Sequence, residues 1–166
     1  MRKVMGLLVV AVLVAGCVSR PDPDPAVIRE TPPPWDAPRD AISYIQAAGL
    51  PELPLDEDSD PFIVRVEVVY DDEAVELPPF IGVDRLRALQ APVHTHESTG
   101  DVWLEGTGNR EVTLGQFFAV WGVRFDERCL ADACGGLSVL ADGEPVEDPV
   151  SLVMRGNELI QVSAER

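Results

Sequence analysis

The chain of 166 residues holds one lysine (Lys3), two histidines and three cysteines. Three cysteines are too few for a small disulfide-built scaffold. Basic residues are scarce as well: Lys+Arg is 13 against Asp+Glu 29, a formal net charge of −16. Such a chain should not bind nucleic acid through a basic face, and anionic lipid headgroups should repel its body as a whole. No apolar run reaches the ~20 residues that cross a bilayer as a helix. Gly-x-Ser-x-Gly, His-Glu-x-x-His and a phosphate loop are all missing, so a hydrolase-type enzyme has thin support. What is present can fold: 46% hydrophobic and 25% charged residues, with a length that suits one domain.

The first residues read as an address. Arg2 and Lys3 precede an apolar run over 4–15, ending Leu13-Val14-Ala15-Gly16-Cys17. A basic start and a short apolar stretch fit an export signal. Small residues before a cysteine resemble the bacterial lipobox, which implies cleavage after residue 16 and acylation of Cys17; a plain secretory signal is the alternative. The resemblance implies a lipoprotein anchored in the bilayer through Cys17 and facing outside the cytoplasm, periplasmic or at the cell surface. Loss of Arg2 and Lys3 takes the formal charge from −16 to −18 and leaves a chain without lysine. Several acyl chains on one cysteine, at ~0.8 kcal/mol per buried CH₂, hold firmly.

Ten of the fifteen prolines fall in residues 18–61. Runs such as Pro21-Asp22-Pro23-Asp24-Pro25 cannot form a helix or a central strand. Residues 17–39 are therefore expected as a lipidated cysteine and an extended, solvated Pro/Asp-rich tether, reaching roughly 70 Å at ~3.1 Å per residue. Residues 40–61 read as a short helix, stopped at Gly49, and an acidic linker.

Residues 62–166 read as an α+β domain. Residues 62–70 alternate and are valine-rich, a strand returning over 74–77. Short strands are expected over 93–96, 102–105, 137–140, 152–154 and 159–162, with turns at Asp142-Gly143 and Arg155-Gly156-Asn157-Glu158. The Gly106-Thr107-Gly108-Asn109 stretch reads as a loop. One helix is sharply marked. Thr113 and Gln116 form a capping box, with Val112 and Phe117 placed for a hydrophobic staple. Leu114, Phe117, Phe118 and Trp121 make one apolar stripe, and Gly122 is the stop. A small mixed sheet with this helix on one face is the economical arrangement, and its layout is similar to the β-grasp of ubiquitin-like domains.

Cys129 and Cys134 lie in a loop after the helix. In an oxidising compartment they suit a disulfide. The other reading is a zinc site joining them to the two histidines.

His94 and His96 are two apart on a strand, hence on one face. A two-residue turn at Thr99-Gly100 would set His96 opposite Trp103 and His94 opposite Glu105. Two imidazoles and a carboxylate suit Zn²⁺ or Cu²⁺. A plain hairpin with solvated or locally bonded histidines is the alternative.

His94-Thr95-His96-Glu97-Ser98-Thr99-Gly100 and Leu114-Gly115-Gln116-Phe117-Phe118-Ala119-Val120-Trp121-Gly122 resemble a family of small exported bacterial domains. Its signatures are His-Thr-His-x-x-x-Gly and Leu-Gly-Gln-Phe-Phe-x-x-Trp-Gly. The family pattern carries a third histidine where Trp103 stands, a His-rich first strand and another histidine near Gly156. The resemblance therefore implies a depleted metal site, with His94, His96 and Glu105 as the carried-over ligands. These features point to a membrane-anchored, non-catalytic binding module with an envelope protein as partner, or to binding of a divalent transition metal.

Overall fold

The structure, a computed structural model, describes residues 21–55 and 60–166. The stretch expected to be an export signal, and Cys17, lie outside the described residues. In chain order the elements are α1 (Ala41–Ala47), β1 (Leu53–Pro54), β2 (Phe62–Tyr70), β3 (Glu73–Val75), β4 (Val83–Asp84), β5 (Leu89–Gln90), β6 (Val93–His94), β7 (Asp101–Leu104), α2 (Leu114–Trp121), β8 (Gly135–Ala141), β9 (Glu144–Pro145) and β10 (Leu159–Glu165). Among the described residues no helix is long and apolar enough to cross a membrane.

The main sheet has the order β6-β7-β2-β10-β8-β9, with β3 on β2 beyond the end of β7. Strands β2 and β10 are parallel, from Leu159 beside Arg65 to Ala164 beside Tyr70; the other pairs are antiparallel. Two hairpins (β2–β3 and β6–β7), the helix α2, a third hairpin (β8–β9) and a last strand returning to the centre make the layout β-grasp-like, an α+β fold. The period of two along β2 decides which face is covered. Val64, Val66, Val68 and Tyr70 point into the core, while Ile63, Arg65 and Glu67 face out. Ile160, Val162 and Ala164 of β10 join the same core. A second, three-stranded sheet, β1-β5-β4, lies beside α1.

Helix α2 starts and stops as its sequence dictates. The Thr113 hydroxyl accepts from the Gln116 N–H at 3.2 Å, and the Gln116 side chain accepts from the Thr113 N–H at 3.1 Å. Gly122 closes the helix in the left-handed region. Leu114, Phe117, Phe118 and Trp121 are all fully buried. Residues 152–154 differ from expectation: they form no strand of the sheet. This stretch runs along the start of α2, where the Leu114 N–H donates to the Leu152 carbonyl at 2.8 Å and the Gly115 N–H to the Val150 carbonyl at 3.1 Å. The unpaired N–H groups of a helix's first turn need such acceptors. Gly115 is required there, because a Cβ would lie 2.7 Å from a Val150 methyl.

The expected tether also differs, for its described part is packed on the domain. Arg29 pairs as a bridge with Val123, and its guanidinium donates to the Trp121 and Gly122 carbonyls. These are the orphan carbonyls of the last turn of α2. Trp35 is 2% exposed and meets Tyr70 and Trp121 edge-on, and its carbonyl accepts from the Trp121 indole at 3.0 Å. Prolines forbid a helix here, but an extended strap can still bury side chains. Cys129 and Cys134 form a disulfide. Both sulfurs are thereby consumed, which removes the zinc site that would join them to the histidines.

Candidate metal centre

The β6–β7 hairpin sets the site at the edge of the main sheet. Its register pairs His94 with Trp103 and Val93 with Leu104. This is a slip of two residues from the expected pairing, so the paired residues His94 and Trp103 still share one face. The cause is Thr95, which is fully buried and bonded away from β7. Its N–H donates to the Ile81 carbonyl at 3.1 Å and its carbonyl accepts from the Phe80 N–H at 2.8 Å. Its hydroxyl donates to the Pro78 carbonyl at 2.8 Å and accepts from the Ile81 N–H at 3.0 Å. The hairpin loop therefore begins at Thr95, and His96 leaves the strand. Gly82 permits the close approach of the 80–82 segment, since a Cβ there would lie 2.5 Å from the Val93 carbonyl.

The three residues expected as ligands come together. One ligand atom from each of His94, His96 and Glu105 can be chosen so that all lie within 4.8 Å of one another. His94 Nε2 is 3.2 Å from His96 Nε2 and 3.3 Å from Glu105 Oε1. Ligands about 2.0 Å from a tetrahedral zinc are themselves about 3.3 Å apart. Two edges of the triangle already have that length.

Burial differs sharply between the ligands. His94 is fully buried, Glu105 is 15% exposed at its side chain, and His96 is exposed. The candidate site thus has a buried inner imidazole and an outer one open to solvent. His96 also lies edge-on to Trp103, centroids 4.9 Å apart at 89°.

Two residues that the spacing gave no sign of complete the arrangement. His94 Nδ1 lies 3.0 Å from the Ala91 carbonyl. A carbonyl only accepts, so Nδ1 carries the N–H and Nε2 of the neutral ring presents a lone pair, toward the His96 Nε2 at 3.2 Å. Burial pushes the His94 imidazole below its ordinary value, helped by the neighbouring His96 and opposed by the Ala91 carbonyl and the Glu105 charge. The ring is therefore held neutral, the form that ligates a metal. Gln90, buried on β5, donates from Nε2 to Glu105 Oε1 at 2.9 Å and fixes the carboxylate. An amide and a carbonyl behind the ligands have no spacing rule in sequence; only the fold brings Gln90 to Glu105.

No family model matches the chain, and neither a curated protein nor a solved structure matches it significantly.

Proposed function

We propose that this protein is a lipid-anchored, extracytoplasmic binding module whose ligand is a divalent transition-metal ion, Zn²⁺ or Cu²⁺, held by His94, His96 and Glu105. One observation carries the metal reading. A neutral imidazole lone pair, a second imidazole and a carboxylate converge at metal-ligand spacing. Without a cation, the Nε2 lone pair of His94 can accept only from the His96 Nε2–H at 3.2 Å, while the Glu105 oxygen faces it at 3.3 Å; a positive ion would be shared by all three. Imidazole and carboxylate suit zinc and copper, with copper bound more tightly on the general affinity order. The anchor reading is supported by the Leu-Val-Ala-Gly-Cys17 motif behind a short apolar run.

Calorimetric titration of the mature protein with Zn²⁺ and Cu²⁺ tests the metal reading. A single equivalent should bind, and His94→Ala with His96→Ala should abolish it. Gln90→Leu, which frees the carboxylate, should weaken binding about 10–100-fold. Unchanged affinity in the double variant would overturn the site. The anchor has its own test: labelled fatty acid should be incorporated by the native chain and not by Cys17→Ser.

A further inference from the structure

The described chain begins at Pro21, and Pro21 is already held by the domain. Its carbonyl accepts from Arg87 Nη2 at 3.0 Å, and a few residues on the Asp24 carbonyl accepts from the Ser43 hydroxyl at 2.5 Å. Cys17 lies four residues earlier. Four extended residues span at most about 14 Å. A lipid on Cys17 therefore brings one particular face of the domain to the bilayer, rather than leaving it on a long spacer.

That face is built around the β4–β5 turn, Arg85-Leu86-Arg87. Leu86 is 58% exposed, the second most exposed of the large apolar side chains after Val27 among the described residues. Beside it an open cleft of about 540 Å³ is lined by Arg39, Pro79, Phe80, Val83 and Arg85. The Arg85 guanidinium lies over the Phe80 ring at 4.3 Å. Arg39 and Arg85 are exposed and have no carboxylate partner among the ion pairs of the described residues. Arg87 holds the turn together through buried Asp84 at 2.9 Å and Asp40 at 3.3 Å. Among the described residues, Asp22 and Asp24 also line the neighbouring cleft. On a chain with 29 acidic residues, three arginines thus gather around one apolar tip. Arginine with an exposed leucine is the chemistry of a bilayer interface: the guanidinium meets headgroup phosphate, and the apolar tip enters the acyl boundary.

We propose that the Arg39–Arg85–Leu86 face docks on the lipid surface to which Cys17 is anchored, so that the domain sits on the membrane in one orientation. The inference rests on the reading of Cys17 as acylated. Alone, one leucine and two arginines bind a membrane weakly; the tether makes the encounter intramolecular and raises the effective concentration.

The test uses the full acylated protein in vesicles of phosphatidylethanolamine with a minority of phosphatidylglycerol, doped with a photoactivatable phospholipid. Cross-links mapped by mass spectrometry should fall on Arg39, Phe80, Arg85 and Leu86. They should be lost in Arg85→Glu with Leu86→Glu, while that variant still floats with the vesicles and keeps its near-ultraviolet dichroism. Cross-links confined to residues 17–20, or spread evenly over the domain, would overturn the docking and leave the anchor intact. Failure of the wild type to float with vesicles, with no acyl group on Cys17, would overturn both.

Discussion

Thr95 sits between two histidines, and its backbone and hydroxyl decide where the hairpin loop begins. Thr95→Val keeps the shape but orphans the Pro78 carbonyl and the Ile81 N–H, each at roughly 1–3 kcal/mol when buried. Denaturant unfolding should report a loss of that order. Metal affinity should fall with it, because His96 is placed by the loop that Thr95 starts. Asp126 is a second residue whose work is readable in its charge. Burial raises its carboxyl, but the Arg128 N–H, the Arg124 guanidinium and the Cys129 N–H together outweigh that and hold it below the ordinary value. The unfolded chain thus takes up this proton first as pH falls. The stabilisation is complete above the unfolded value of about 3.9 and is lost as pH drops through the lower folded value. A carbon-detected titration should find the Asp126 carboxyl still ionised where exposed aspartates are half protonated, and Asp126→Asn should flatten that part of the acid limb.

At the scale of elements, legibility followed locality. β2 and α2 could be read almost to the residue, because alternation, a capping box and a stop glycine act within one element. The hairpin register could not, since Thr95 is claimed by the 80–82 segment, far from it along the chain. The 152–154 segment failed in the same way: its partner is the start of α2, not the sheet. The strap is the largest miss. Prolines and carboxylates suggested a solvated spacer, yet Trp35 lies 2% exposed against Tyr70 and Trp121, and Arg29 completes the end of α2. A lone tryptophan in a proline-rich run was the signal available. Trp35→Ala should cost about 3–5 kcal/mol, measured by chemical denaturation. A freely solvated spacer would tolerate the change without effect.

On the scale of the whole molecule, two surfaces lie at opposite ends of one short stretch. The β4–β5 turn carries Arg85 and Leu86, and β5 itself supplies Gln90, which holds the Glu105 carboxylate. The strong negative charge keeps the body soluble, and it concentrates cations near a centre that is itself anionic through Glu105. His94, His96 and Glu105 were legible as candidates from their shared face. The Ala91 carbonyl and Gln90 behind them, which orient His94 and Glu105, are placed only by tertiary structure. The most direct measurement is X-ray absorption at the zinc edge of the loaded mature protein. The nearest scatterers should be nitrogen and oxygen only, at about 2.0–2.1 Å, with the multiple-scattering pattern of two imidazoles. A sulfur shell near about 2.3 Å, or a shell of water oxygens without imidazole, would contradict the proposed site.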